Sequence, residues 1–280
     1  MKKELFLNKN KVVVSVLSIW LVAIVLLTGV QARAADYVTI SRNLDSINFI
    51  ATSEETEHYE TIFESDSTLV ALPEDSVIYF LIKEEKFKKG DAFQIFATEY
   101  PVHHPVTGAL VGYFNEIKGE FKITKVLEDK GLYQGQITKA FTEIKVGQKI
   151  RPKVAMDKKV KITTTDLIKE GIIVQNEGDY QMVAGNDLVF IDLGLMDGIK
   201  VGQMFKVYKV NKTKGDTILP DIYAGKIMVL KPKLMTSSAI VLSSDSEIKH
   251  KELYKIISVQ DSELRKGTSL APPDSSSVGQ

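Results

Sequence analysis

The chain has 280 residues, 36 Lys/Arg against 36 Asp/Glu, and no cysteine. The lack of cysteine excludes a disulfide framework, a thiolate metal site and a cysteine nucleophile. A near-neutral chain without a basic block argues against nucleic acid as the main partner.

In chain order, the first predicted element is a targeting segment over residues 1–34. Lys2, Lys3, Lys9 and Lys11 give a positive start, and Val12 to Val30 is an almost unbroken apolar run of 19 residues. Ala32-Arg33-Ala34 then reads as a small-x-small cleavage site, so the segment is expected to be a signal peptide removed after Ala34. The competing reading is a retained anchor, since 19 residues just suffice to span a bilayer; a bacterial lipoprotein anchor is excluded because it needs a cysteine. Cleavage removes five Lys/Arg and one Asp/Glu and leaves a net charge of about −4. It also removes Trp20, the single tryptophan. The exported protein is therefore expected to show no tryptophan fluorescence, whereas an intact mass that includes residues 1–34 would support the anchor.

Next come short runs rich in Val, Ile, Phe, Tyr and Thr, separated by Gly, Asn, Asp and Lys turns. SVIYFLI, AFQIFAT, GEFKITKVL and QGQITKAF read as strands. Phe93 and Ile95 share one face, as do Phe121 and Ile123, with Lys122 and Thr124 opposite; that period of two marks half-buried strands. KFKKGDAFQIF (Lys86 to Phe96) recurs 112 residues later as GIKVGQMFKVY (Gly198 to Tyr208). Laid over each other without a gap, Val70–Phe96 and Met182–Tyr208 pair Asp75 with Asp187, Val77 with Val189, Leu81 with Leu193, Gly90 with Gly202 and Phe93 with Phe205. Beyond this, GEFKITKV answers GKIMVLKP with gaps. Two copies of about 110 residues fill nearly all the chain after residue 34, which indicates a duplicated domain. Several short strands per copy predict two small closed or nearly closed barrels.

The stretch from KGDAFQIF to EIKVGQKIRP, with HPVTGALVGY and G-x-F-x-I inside it, resembles a region of exported proteobacterial envelope proteins associated with LysM modules. LVFIDLGLMDGIKVGQMFKVYKV resembles the same region and is similar to the C-terminal SH3-like barrel of flagellar assembly protein T. The resemblance covers Val70 to about Ile257 and implies SH3-like barrels in a periplasmic setting. The Y-x-V-x-x-G-D-T-L opening of a LysM module is missing, and Gly215-Asp216-Thr217 lies within the second copy. Peptidoglycan binding by a LysM module is therefore not implied.

His103-His104 stand between Pro101 and Pro105 in an extended segment, where neighbours point to opposite sides. They are read as a solvated hairpin loop rather than a metal site. Asp187, Asp192 and Asp197 do not have EF-hand spacing and are read as turn residues. KEEKFKKGD is read as a charged edge that discourages strand aggregation. G-x-S-x-G, H-E-x-x-H and the phosphate-loop motif are absent. Asn211-Lys212-Thr213 fits a glycosylation sequon that means little in a bacterial periplasm. Met156, Met182, Met196, Met204, Met228 and Met235 form no stripe and are read as core filler. Asp261 to Gln280 is small, polar and Pro/Ser-rich and is read as disordered.

The expectation is an all-β chain of two tandem small SH3-like barrels after a signal peptide: residues 1–34, then 35–152, 153–258 and a tail over 259–280. The sequence nominates no catalytic, cofactor-binding or metal-ligating residue. The expected function is a non-enzymatic periplasmic or envelope protein with a structural or adaptor role through protein contacts. The alternative is binding of peptidoglycan or another glycan. No nucleic acid is expected, and contact with the membrane only if the N-terminal segment is retained.

Overall fold

A computed structural model describes residues 37–82, 87–127, 131–165, 168–178, 182–211, 219–246, 248–249 and 252–260. The targeting segment, part of the KEEKFKKGD run, Gly215-Asp216-Thr217 and residues 261–280 lie outside the described residues. The strands are β1 (Tyr37–Thr39), β2 (Phe49–Ala51), β3 (Ile62–Ser65), β4 (Val77–Leu81), β5 (Ala92–His103), β6 (Leu110–Leu127), β7 (Leu132–Ala140), β8 (Lys149–Pro152) and β9 (Lys159–Lys161). They continue as β10 (Glu170–Asn176), β11 (Met182–Val183), β12 (Leu188–Ile191), β13 (Met204–Lys209), β14 (Ile222–Pro232), β15 (Ser237–Ser244), β16 (Ile248–Lys249) and β17 (Tyr254–Ser258). The protein is nearly all β.

The two copies have one topology. The first sheet runs β3-β4-β7-β6-β5-β8, and the second is a closed barrel in the order β10-β12-β15-β14-β13-β17. Each strand of one order has its counterpart at the same place in the other. The first sheet closes through a bridge between Thr61 and Lys149, where Ile62 N–H donates to Gln148 O and Gly147 N–H donates to Ile62 O. The K-x-G turns superpose bond for bond. Lys88 N–H donates to the Asp91 carboxylate and Gly90 N–H to Ile123 O; Lys200 N–H donates to Gln203 Oε1 and Gly202 N–H to Val229 O.

The ungapped pairing fails in one place. Asp75 and Asn186 both have positive φ, and they donate to Ile137 O and Val241 O respectively. The barrel interiors take Ile78 and Phe80 in one copy and Val189 and Ile191 in the other. Asp75 therefore answers Asn186, not Asp187, and Ile78 rather than Val77 answers Val189. One extra residue lies between this strand and the K-x-G turn of the second copy. Phe93 and Phe205 do match, at 1% and 0% exposure.

The two interiors are filled differently. The first packs Phe80, Phe93, Phe121 and Tyr133 together, with ring centroids 5.0–5.8 Å apart. The second replaces Phe121 by Ile227, and where Gly135 makes room for Phe121 it carries Ala239. A Cβ on Gly135 would stand 2.6 Å from the Phe121 ring. Gly135→Ala is thus expected to lower stability by about 1–3 kcal/mol, read as a lower urea midpoint, while Ala239→Gly should be the milder change.

The outer faces differ because one is covered. Met228, Leu230 and Ile240 stand where the first copy has Lys122, Thr124 and Gln136. They pack with Leu188 and Met204 under Ile40, Leu44, Ile47 and Val160. Residues 37–52, which precede the first barrel, thus form a strap over the outside of the second, helped by the β1–β9 pair. The strap then adds β2 to β6 of the first barrel. The linker between the copies also docks on the second barrel: Gly202 has φ +85, and a Cβ there would meet Lys161 O at 1.9 Å. Val259 and Gln260, assigned to the tail from sequence, are ordered; Val259 is buried and Gln260 bridges Thr165. The methionine reading holds for Met204 and Met228, but Met182, Met196 and Met235 are exposed.

Candidate functional site

Asn48 is the hub of the strap. Its Oδ1 accepts from Ile117 N–H of the first barrel at 2.9 Å, its Nδ2 donates to Glu177 of the second at 3.0 Å, and its carbonyl accepts from Ser238 Oγ at 2.7 Å. Thr236 Oγ1 donates to Ile50 O at 2.6 Å. Ion pairs fasten the same segment: Lys153 to Asp45 and Glu120, and Arg42 to Glu177. Burial works against the charge on Lys153, but the two carboxylates outweigh it and hold its ammonium above the usual lysine value.

The long β5–β6 hairpin makes a further link. Val102 and Phe114 pack with Ile50 against Val174 and Phe190 of the second barrel. At its tip His104 Nδ1 accepts from the N–H groups of Val106 and Thr107, which leaves the proton on Nε2 facing Asp192 Oδ2 at 3.4 Å. His103 is exposed as expected, but His104 is not a solvated loop residue; its ring is drawn in by a carboxylate of the other copy. Asp187 and Asp197 are turn residues, accepting from Ala184 N–H and Gly194 N–H. Among the described residues no group of three or more His, Cys, Asp or Glu is placed to hold a metal ion.

Between strap, linker and barrels lies a cavity of about 780 Å³. Its cations are Arg151 at the end of β8, Lys159 and Lys161 on β9, and Lys231 and Lys233 at the end of β14; Asp157 supplies a carboxylate. Three of these cations surround one ring. Arg151, Lys231 and Lys233 place their charges 4.3, 5.0 and 4.8 Å from the centroid of Phe49, a fully buried strap residue. The ring face attracts each of them, but all three lie within about 10 Å of one another. At an effective dielectric of about 20, each charged pair at that separation repels by about 1.7 kcal/mol.

Their partners are mostly neutral. Arg151 donates twice to Gln94 Oε1, at 3.2 and 2.8 Å, and Lys231 donates to Ile47 O at 2.9 Å. Among the described residues, Lys233 alone of the three has a carboxylate, Glu55, at 3.8 Å. Burial pushes Arg151 down to about 10. Burial, then the charges of Arg151 and Lys233, push Lys231 well below its ordinary value. Lys233 is also lowered by burial, against the pull of Glu55.

This has a consequence for stability. Between the depressed pKa of Lys231 and the ordinary lysine value of about 10.4, the unfolded chain holds a proton that the folded chain lacks. Stability therefore rises with pH over that interval. The urea midpoint is expected to climb on the alkaline side of neutrality in the wild type and to climb less in Lys231→Met.

No family model matches the chain, and no curated protein matches it. Sequence reasoning missed the cavity entirely. Lys231 and Lys233 sit in LKPKL and Arg151 in KIRP, and nothing local in either stretch signals a shared site.

A different feature lies at one end of the second barrel. Leu195 N–H donates to Lys233 O and Met196 N–H to Leu234 O, which ties the 3₁₀ turn Leu195–Asp197 to the β14–β15 turn. Leu195, Met196, Leu234 and Met235 are 53, 72, 40 and 50% exposed. Four large apolar side chains are thus exposed on two turns that main-chain hydrogen bonds tie together.

Proposed function

We propose that the protein is a non-enzymatic adaptor of the bacterial envelope, exported and docked to a protein partner by the apolar end of the second barrel. The observation that carries this is the Leu195–Met196–Leu234–Met235 patch. Clustered exposed apolar side chains mark interaction sites, and methionine adapts to a partner's surface. Two main-chain hydrogen bonds hold the patch in place before binding, which reduces the ordering cost of association. The likeness of LVFIDLGLMDGIKVGQMFKVYKV to an SH3-like barrel of a flagellar ring component supports an assembly role of this kind.

The test replaces Met196 by a photo-crosslinking residue in intact cells. A defined protein adduct is expected at Met196, absent at exposed Lys122 and lost when Met235→Glu charges the patch. Retention of the purified protein on peptidoglycan, with no adduct at Met196, would replace this reading by the glycan-binding one.

A further inference from the structure

We infer that the cavity between the barrels binds an amphiphilic organic anion, its anionic oxygens held by Arg151, Lys231 and Lys233 and its apolar part laid against Leu44, Met156 and Leu230. The volume of about 780 Å³ is that of a small-molecule site. The lining combines an apolar wall with five cations and the Asp157 carboxylate.

The competing explanation is that these cations simply fasten the strap. Elsewhere in the molecule fastening looks different. Lys153 bridges Asp45 and Glu120, Arg42 meets Glu177, and Lys118 meets Glu99 and Glu116. Each of these cations has a carboxylate within 3.0 Å. In the cavity Arg151 and Lys231 bond to an amide and a carbonyl, and the Lys233–Glu55 pair is long at 3.8 Å. Like charges are gathered around one ring, and among the described residues no carboxylate pairs with Arg151 or Lys231. A ligand anion supplies the balancing charge, in a partly desolvated site where it is worth most. The guanidinium of Arg151 offers a planar fork suited to phosphate or carboxylate oxygens.

The two head chemistries can be separated by probes. The purified protein is titrated by calorimetry with hexyl phosphate, hexanoate, hexan-1-ol and inorganic phosphate. At least one of the two amphiphilic anions is expected to saturate at one per chain and raise the thermal midpoint, and the tighter head identifies the ligand's anionic group. Hexan-1-ol and inorganic phosphate each lack one half of the recognition and should bind at least about tenfold more weakly.

Two triple variants, one in the lining and one outside it, complete the test. Lys159→Gln, Lys161→Gln and Lys233→Gln together should weaken binding at least tenfold while leaving the unliganded midpoint equal to or above the wild type. Lys122→Gln, Lys125→Gln and Lys226→Gln make the same change in charge outside the cavity and should leave binding intact. Failure of both amphiphiles to bind overturns the inference. So does inorganic phosphate binding as tightly as hexyl phosphate, or binding unchanged in the cavity variant. A lower unliganded midpoint in that variant shows that the lysines fasten the barrels, and it too overturns the inference.

Discussion

Phe205→Ala is expected to cost about 3–5 kcal/mol of stability, and Phe93→Ala a similar amount. Both side chains are fully enclosed, and both stand on the strand after a K-x-G turn. Phe93 stacks on Phe121 at 5.2 Å and touches Phe80 at 5.8 Å, so truncation opens a void among rings that are already in contact. Phe205 is surrounded by aliphatic neighbours such as Ile227, Val229 and Ile256. These can lean into a void more easily than stacked rings, so Phe205→Ala should be the milder of the two. The readout is the urea midpoint at constant slope.

The second large effect is expected at Asn48. Asn48→Ala leaves the buried Ile117 N–H without its acceptor and Glu177 without one donor. An unsatisfied buried polar group costs about 1–3 kcal/mol, so the pair should cost about 2–4 kcal/mol. Arg42 still holds Glu177, which keeps the loss on that side at the lower end. Asn48→Asp keeps the acceptor for Ile117 but sets a second carboxylate against Glu177, and it should be no better tolerated. Hydrogen exchange should then rise at Ile117 in particular, a local signature that a general loss of packing would not give.

The sequence reading succeeded where a local pattern determines the structure. Alternation in GEFKITKV placed Phe121 and Ile123 inside and Lys122 outside, and the K-x-G turns announced the duplication. It slipped where identity was matched instead of orientation. Pairing Asp75 with Asp187 and Val77 with Val189 is attractive by letter, yet a strand has a side-chain period of two, so a one-residue error exchanges its faces. The positive φ of Asp75 and Asn186 fixes the true register.

The strap was illegible for another reason. The role of SINFIA lies in contacts with Ile117, Glu177, Lys231 and Ser238, which are 69 to 190 residues away. One clue was present in the sequence: Met228, Leu230 and Ile240 are apolar where the first copy has Lys122, Thr124 and Gln136, so the second barrel needed a cover. The cavity cations gave no such clue. Lysines at strand ends are ordinary, and only the fold reveals that three cations share one phenyl ring.

The two copies form one body, clamped by the strap around the cationic cavity. Differential scanning calorimetry of the purified protein tests this most directly. A single transition is expected, with van't Hoff and calorimetric enthalpies that agree, and it should move as a whole to lower temperature in Phe93→Ala, in Phe205→Ala and in Asn48→Ala. Two transitions, with Phe93→Ala moving one and Phe205→Ala the other, would contradict it.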